Sequence, residues 1–282
     1  MVSVKSPSST ASTARATRNQ WNGADFLAYR DRLWLALLLP LTLLALWQVA
    51  GAAHLDSILF ASPQDVWAAL VSVFRRGRLA NALSSSLLRA VAGCTLGIVF
   101  GLAFGVVNGL SIVSERLTDT TLKMVHAIPS LAVVPLFIIW FGIGELSKIL
   151  LIAFATFTIV YISTSQAVRN SDPRLLEMAR TQRLGVIDRI RHVVLPGALP
   201  GILEGLRYAM SVTWFVLIAA ETIGANSGIG FIATQARDYL QTGLVLLCVL
   251  IYASLGLISD FLILLLRRRL LRWHPSQKQR SQ

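Results

Sequence analysis

The segment DPRLLEMARTQRLGVIDRIRHVVLPGALP, from Asp172 to Pro200, decides the fold of this chain. It is rich in charged residues, and it lies between two long apolar stretches. Charges inside a lipid bilayer are costly, because each one needs water or a partner of opposite sign. The segment is therefore predicted to be a water-exposed helical element within a membrane protein, which suits the docking of a cytosolic partner.

The residues of this segment predict two short helices. Asp172 followed by Pro173 favours a helix start, because aspartate caps free N–H groups and proline suits the first helical position. We expect a turn near Gly185, a second helix over residues 186–194, and an end at Leu195 and Pro196, before the next span. Two packed helices of this kind can transmit a push, whereas a flexible linker would dissipate it.

The rest of the chain is apolar enough for a membrane. Of its 282 residues, 55% are hydrophobic and 14% are charged, which is unusual for a soluble domain. About 20 apolar residues in a helix cross a hydrocarbon core roughly 30 Å thick. We predict an all-α polytopic membrane protein with six transmembrane helices. The apolar stretches are Leu33–Ala53 and those bounded by Arg89 and Glu115, His126 and Glu145, Lys148 and Arg169, Arg207 and Glu221, and Asp238 and Arg267.

The net charge of +12 follows from topology. With six spans, both termini and the central loop lie on one side of the membrane, and that side collects most of the lysines and arginines. Lys and Arg are enriched in cytoplasmic loops, so we expect the termini and the central loop in the cytoplasm. The basic excess then gives no reason to expect a nucleic-acid partner.

Three regions are expected along the chain. Residues 1–32 form a cytoplasmic N-terminal tail, because the opening is rich in Ser, Thr and Ala and lacks an apolar run. Residues 33–268 form the transmembrane domain, with its cytoplasmic loop at 170–200, and residues 269–282 form a basic cytoplasmic tail. Cys94 and Cys248 fall within predicted spans and are expected to pack as small apolar residues, without metal-ligand spacing.

The second span carries a glycine at every fourth position. Residues four apart lie on one face of a helix, and a face without side chains lets another helix approach closely in lipid. We predict a helix-packing seam, and two interpretations stay open: a seam that slides during a conformational change, and a static contact. Its members are Gly93, Gly97, Gly101, Gly105 and Gly109.

Two other spans contain unusual residues for a membrane helix. Pro129 and Pro135 each remove a helical hydrogen bond, and an interrupted backbone at membrane depth is tolerated where it faces protein or a wet cavity. Only about 20 Å of helix separates Arg207 from Glu221, so at least one of these charges lies at membrane depth. We expect Glu204, on the same helical face, to neutralise Arg207, while Glu221 has no neighbour in sequence.

Several short sequence motifs resemble those of a known family. Glu177-Met178-Ala179, followed by Leu195-Pro196, resembles the EAA loop of ABC-importer permeases, the helix–turn–helix that fits into a cleft of the ATPase subunit. From about Leu33 to Trp273, the chain is similar to the aliphatic sulfonate, taurine and nitrate branch. The resemblance implies a type I ABC importer, MetI-like permease fold. Further motifs that support the resemblance lie at residues 128–132, 135–137, 140–145, 196–200, 205–207 and 220–221.

One position departs from the family pattern. The family's loop glycine corresponds to Arg183 in this chain, and we expect Gly185 to host the turn instead. By resemblance, the loop couples the membrane spans to the ATPase, and closure of the ATPase dimer on ATP moves it. The coupling-loop candidates are Glu177, Met178, Ala179, Arg183, Gly185, Leu195 and Pro196.

The resemblance implies a transmembrane permease subunit that forms the pathway for a small anion. Aliphatic sulfonate or taurine comes first, with nitrate, bicarbonate or another small solute as the alternative. Trp140 and Trp214 would suit an alkyl group beside a charged head, although tryptophan also marks membrane interfaces. Glu221 is placed at the outer end of the pathway. The pathway candidates are Pro129, Pro135, Trp140, Trp214 and Glu221.

A chain of this kind is a transport subunit rather than an enzyme. It lacks the G-x-x-x-x-G-K-[ST] phosphate loop, so ATP and Mg²⁺ are expected on a partner ATPase and no cofactor on this chain. The expected partners are a second copy of the chain, two cytosolic ATPase subunits, an extracytoplasmic binding protein and lipids of the inner membrane. A self-contained secondary transporter would need internal repeats and mid-membrane ion sites, and a membrane-embedded enzyme would need a catalytic motif.

Overall fold

A computed structural model describes residues 38–51, 61–111, 114, 117 and 120–271, and every regular element among them is helical. The protein is therefore all-α within these ranges, as the sequence predicted. We number the helices in chain order. They are α1 Leu38–Gly51, α2 Pro63–Arg75, α3 Arg78–Leu110, α4 Thr120–Ala127, α5 Val134–Phe141, α6 Glu145–Arg169, α7 Pro173–Thr181, α8 Val186–Arg189, α9 Leu195–Gly224, α10 Ile229–Asp238 and α11 Thr242–Leu270.

Four helical segments of the described chain are long and apolar enough to cross a membrane. They are α3, α6, the continuous helix Val186–Gly224 that contains α8 and α9, and α11. Their lengths are 33, 25, 39 and 29 residues, each above the roughly 20 residues that a span requires. The protein is thus a multi-pass membrane protein, while the count of six spans stays a prediction.

The other two expected spans take different forms. The first is represented by α1, a shorter apolar helix in a compact unit of its own, and the rest of Leu33–Ala53 lies outside the described residues. The third, expected between His126 and Glu145, contains only the last two residues of α4, a break, and the eight-residue helix α5. Pro129 lies in the break between these helices, and Pro135 lies in the first turn of α5, where its missing N–H costs nothing. The structure thus has the backbone interruption that the two prolines predict.

Helices α3 and α6 pack along the glycine face of α3. A Cβ atom added to Gly93 would lie 2.6 Å from Ile152 Cβ, and one added to Gly97 would lie 2.6 Å from Thr156 Cβ. The remaining three glycines face α6 in the same register, so the two helices run parallel with backbones in close contact. Side chains of α6 fill the space above each glycine, and this interdigitation favours the static interpretation of the seam. The facing residues are Ile152, Thr156, Val160, Thr164 and Val168.

Helix α2 begins with a reciprocal cap. The Ser62 hydroxyl accepts from the Asp65 N–H, and the Asp65 carboxylate accepts from the Ser62 N–H at 2.8 Å. The Ser62 hydroxyl also donates to the Asp65 carboxylate at 2.7 Å, and this bond, together with the one from the Ser62 N–H, holds the pKa of the Asp65 carboxyl below its usual value. Val66 and Val73 are buried, so part of the apolar face of α2 packs against the protein.

The main core joins α2, α3, α5, α6, α9, α10 and α11 at one end of the bundle. Ile152, Ala155 and Leu217 are fully enclosed there, and Cys248 packs among them as a free thiol. Cys94 is also free and buried, as expected for a small apolar residue, and it lies beside the α6–α9 contact. A separate cluster at the opposite end, near the start of α9, contains Val168, Val194 and Ala198.

Candidate functional site

An arginine inside α3 is the centre of a buried polar cluster. The sequence placed Arg89 at the edge of the second span, but α3 begins at Arg78, and Arg89 lies within the helix with 1% of its surface exposed. A buried guanidinium needs partners for all five of its N–H groups. Arg89 was missed as a functional residue, because its partners come from distant parts of the chain.

All five N–H groups of Arg89 are satisfied. The Nε and Nη2 atoms donate to the two carboxylate oxygens of Glu145 at 2.5 and 2.8 Å. The Nη1 atom donates to Glu221 at 2.6 Å and to the Ser227 carbonyl at 2.8 Å. The second Nη2 hydrogen reaches the Ser227 hydroxyl at 2.8 Å. One side chain thus joins α3, the start of α6, the end of α9 and the loop that follows it.

Glu221 is buried and fully paired. Its carboxylate accepts hydrogen bonds from the Ser86 hydroxyl at 2.7 Å, the Gly230 N–H at 2.9 Å and the Tyr252 hydroxyl at 2.9 Å, in addition to Arg89. The neighbour that sequence alone could not find is therefore Arg89, and α11 joins the cluster through Tyr252. We call this group the Arg89 cluster. It consists of Ser86, Arg89, Glu145, Lys148, Glu221, Ser227, Gly230 and Tyr252.

Two glycines let the chain close directly over Glu221. Gly228 has a φ of +117°, which glycine adopts readily. A Cβ atom at Gly228 would lie 2.5 Å from a Glu221 carboxylate oxygen, and one at Gly230 would lie 2.6 Å from Glu221 Cβ. The loop between α9 and α10 therefore seals Glu221 from solvent, and a larger residue at either position would open the seal.

The Arg89 cluster is electrically balanced. Arg89 and Lys148 supply two positive charges, and Glu145 and Glu221 supply two negative ones. Removing one partner of a buried ion pair costs about 3–5 kcal/mol, because the other charge stays uncompensated. The cluster therefore links α3, α6, α9 and α11 through contacts whose loss would leave a buried charge unpaired.

A second ion pair crosses between α9 and α11. Arg207 donates through Nε and Nη2 to the Asp260 carboxylate, and the Nη2 bond measures 3.0 Å. The predicted partner, Glu204, is 3.9 Å from Arg207 and accepts instead from Arg267 at 2.8 Å. Helical spacing in the sequence correctly predicted that Glu204 lies near Arg207. It could not predict the closer partner, Asp260, because Asp260 lies on another helix.

The coupling-loop segment forms the expected helix α7. The Asp172 carboxylate accepts from the Arg174 N–H at 2.9 Å, so aspartate caps the helix as predicted. Glu177 is exposed and Met178 is 53% exposed, whereas Ala179 is buried at 2% exposure. The helix thus exposes Glu177 and Met178 and packs Ala179 inward.

The turn after α7 is formed by Arg183 rather than Gly185. Arg183 has a φ of +52°, in the left-handed region, and the Leu184 N–H donates to the Ala179 carbonyl at 3.1 Å. Gly185 has a φ of −59° and a ψ of 161°, an ordinary conformation for any residue. Our expectation that Gly185 hosts the turn was wrong. The backbone keeps the shape that suits glycine, although arginine occupies the position.

The second loop helix runs directly into the membrane span. We expected Leu195 and Pro196 to end it, but Val186–Gly224 is one continuous helix of 39 residues. A π-helical turn at Ile190–Val194 precedes Pro196. A proline clashes with the carbonyl four residues earlier, and the wider turn accommodates the lost hydrogen bond without stopping the helix. The prediction of a break was therefore wrong.

The start of this long helix is apolar and exposed. Val186 is 63% exposed and Ile187 is 80% exposed, although an isolated helical turn in water would normally carry polar residues here. These two residues lie on the same loop as Glu177 and Met178. Sequence reasoning missed them, because short apolar pairs are common in helices that pack inward.

The pathway candidates lie in separate environments. Trp140 on α5 is 64% exposed; Pro129 lies in the break before this helix, and Pro135 lies in its first turn. Trp214 is 7% exposed and donates its indole N–H to the Ser259 hydroxyl at 2.9 Å. Glu221 is enclosed in the Arg89 cluster. Of the five pathway candidates, only Pro129, Pro135 and Trp140 are exposed, so a pathway role for Trp214 or Glu221 would act through packing.

Comparison with known proteins identifies the class. Residues 93–272 match the family described as the inner membrane component of binding-protein-dependent transport systems. The chain belongs to this family and is a permease subunit of an ABC importer. Structures of the inward-facing MetNI methionine ABC transporter and of an amino acid ABC transporter share its fold. Their TM-scores are 0.56 and 0.59, their identities 18% and 19%, and they cover 67% and 71% of this chain and 96% and 97% of their own.

Its similar relatives include sulfonate transport proteins. The chain is 45% identical to SsuC of Escherichia coli (strain K12), which is named as an aliphatic sulfonates transport permease; the similarity covers 84% of this chain and 91% of SsuC. SsuC of Bacillus subtilis (strain 168) is 39% identical, over 85% and 87%. TauC of E. coli (strain K12), a taurine transport system permease, is 34% identical, over 82% and 86%.

Proposed function

We propose that this permease carries a small organic sulfonate, an aliphatic sulfonate or taurine, across the inner membrane. The relatives named for sulfonate and taurine transport cover more than four-fifths of the chain. Energy comes from a partner ATPase that binds ATP and Mg²⁺, and the substrate arrives on an extracytoplasmic binding protein. The loop end of the bundle and both termini lie in the cytoplasm, so the Arg89 cluster lies toward the outer face.

The observation that carries the mechanism is the continuous helix Val186–Gly224. Its first turn belongs to the loop that docks the ATPase, and its last turn carries Glu221. A helix is stiff along its axis, so a displacement of the loop moves Glu221. Because Glu221 is bonded to α3, α10 and α11, the displacement reaches the outer ends of these helices and switches the subunit between inward- and outward-open states.

The loop offers the ATPase two kinds of contact, apolar and charged. Val186, Ile187 and Met178 provide an exposed apolar surface, which is suited to burial in a cleft of the ATPase. Glu177 supplies a negative charge beside it. Truncating or reversing a charge in a docked interface costs about 2–5 kcal/mol. The loop therefore offers both binding energy and orientation.

The test is the charge reversal Glu177→Arg. We expect the ATPase to bind at least roughly thirtyfold more weakly, corresponding to about 2 kcal/mol. Uptake of taurine or an alkanesulfonate into proteoliposomes that contain ATP should fall in parallel. Because Glu177 is exposed, yield and thermal stability of the purified protein should stay the same.

Asp238→Arg is the matched control. Asp238 is 59% exposed and lies at the opposite end of the bundle, so the same charge change should leave ATPase binding unaltered. Normal ATPase binding and uptake in Glu177→Arg would contradict the coupling role. ATP-driven uptake of nitrate, with none of any sulfonate, would contradict the proposed substrate.

A further inference from the structure

Arg89 holds two carboxylates of very different accessibility. The Glu221 side chain is 0% exposed and has four kinds of donor, whereas the Glu145 side chain is 59% exposed. Glu145 is held by the Arg89 fork and by Lys148 Nζ at 3.1 Å. Of the two carboxylates, Glu145 alone can rotate into solvent without breaking the internal packing. It is the replaceable partner of the cluster.

The departure of Glu145 would leave a ready anion site. The Nε and Nη2 groups of Arg89 point in parallel toward the space of its two oxygens, and Lys148 points there from the side. The side chains of Arg89 and Lys148 are only 1% and 7% exposed. Two buried cations with one remaining counter-charge are unstable, so Glu145 leaves only when another anion takes its place.

We propose that Arg89 and Lys148 form a sulfonate-binding site, with Glu145 as the resident carboxylate that the substrate displaces. The proposal rests on the proposed function and assigns its substrate class to particular residues. Two oxygens of a sulfonate take the bidentate place of the carboxylate on Arg89, and the third faces Lys148. One negative charge replaces another, so the cluster stays balanced, and a neutral solute cannot make this exchange.

The exchange would preserve the link between the helices. Glu145 is the first residue of α6, and its bond to Arg89 ties that end of α6 to α3. A sulfonate bound between Arg89 on α3 and Lys148 on α6 takes over this link, while Glu221 keeps α9 attached to Arg89. The substrate therefore replaces the Glu145 contact without separating the helices.

The experiment measures anion binding to the purified full-length permease. Trifluoromethanesulfonate is the probe, and its binding is followed by ¹⁹F NMR. Glu145→Gln keeps the shape of the side chain and removes the competing charge, so we expect saturable binding at least tenfold tighter than in the wild type. Asp238→Asn removes a carboxylate that is equally exposed, at 59%, and should not change binding. Equal gains in both variants, or none in Glu145→Gln, would overturn the proposal.

Further arms test the geometry and the ligand class. Arg89→Lys in the Glu145→Gln background keeps the charge but loses the fork, and it should weaken binding at least tenfold. Methanesulfonate and 2-aminoethanesulfonate should compete with the probe more strongly than chloride or acetate. Equal competition by chloride would show general charge attraction and would overturn the assignment to sulfonate.

Two results separate this site from the proposed function. If Glu145→Gln does not fold, the wild type decides: weak saturable binding that Lys148→Met abolishes supports the site, and its absence overturns it. If ATP-driven sulfonate uptake fails while Glu145→Gln binds the probe, the function is wrong and the anion site stands. If uptake succeeds but no variant binds the probe, the function stands and the site is wrong.

Discussion

Arg183 is held in a backbone conformation that favours glycine. Its φ of +52° lies in the left-handed region. There the Cβ atom of an L-residue comes too close to the following carbonyl oxygen, which destabilises this conformation by roughly 1–2 kcal/mol. The turn brings Leu184 N–H to the Ala179 carbonyl and sets the angle between α7 and the long helix. Arg183 is exposed, so its side chain can remain in solvent while the backbone carries the strain.

We predict that Arg183→Gly stabilises the loop. The strain energy removed is larger than the extra entropic cost of ordering glycine, so the loop becomes more stable by about 0.5–1 kcal/mol. Hydrogen exchange of the loop amides should slow. Gln182→Gly is the control, because Gln182 has no positive φ to relieve, and its exchange should quicken. Faster exchange in Arg183→Gly would contradict the strain that we assign to this turn.

Sequence reasoning identified the isolated charges but could not pair them. The predicted topology assigns a side to every Lys and Arg residue except Arg89 and Arg207, and both lie within membrane-length helices. Their partners Glu221 and Asp260 lie 132 and 53 positions away. Spacing along the sequence reveals only neighbours on the same helix, so it predicted Glu204 as the partner of Arg207. A search for equal numbers of opposite charges at membrane depth would have suggested Arg89 for Glu221.

At the scale of helices, the glycine pattern predicted the structure better than the proline positions did. Glycines at every fourth position specify a flat face whatever its partner, and α6 packs against that face. The effect of Pro196 depends on its setting, because a π-helical turn absorbs the lost bond and the helix continues. Pro129 and Pro135 have no such turn, and the helix stops between Ala127 and Val134. The sequence therefore specifies faces better than helix ends.

The close contact of α3 with α6 makes Gly97→Ala destabilising. The new methyl group would lie 2.6 Å from Thr156 Cβ and 2.7 Å from the Ala153 carbonyl, so the two helices must separate. Overpacking of this kind costs about 1–3 kcal/mol. The measurement is thermal unfolding of the detergent-purified protein.

Gly256→Ala provides the matched control for this contact. A Cβ atom at Gly256 in α11 meets nothing within 4 Å. Alanine favours a helix over glycine by up to about 1 kcal/mol, so this variant should be as stable as the wild type or more so. A loss of stability as large as that of Gly97→Ala would show that the effect is not specific to the α3–α6 contact.

The distribution of basic residues over the whole molecule predicts its orientation. We expect both termini in the cytoplasm, together with the coupling loop. Cysteines introduced at Lys5 and Lys278, which lie outside the described residues, should react with an impermeant thiol reagent only after the cells are opened. Cys94 and Cys248 are buried and should not interfere. A cysteine at Asp238 should react in intact cells. Labelling of either terminus from outside would contradict this orientation.

This chain has one predicted coupling loop, whereas the expected ATPase dimer would offer two clefts. We therefore predict a homodimer of this chain with two copies of one ATPase. Native mass spectrometry of the purified complex should show two permease subunits of 30.8 kDa each. The symmetric arrangement also predicts that Glu177→Arg in one subunit of a linked dimer lowers ATPase binding less than the double variant. A stable complex with one permease, or a requirement for a second, different permease, would contradict the homodimer.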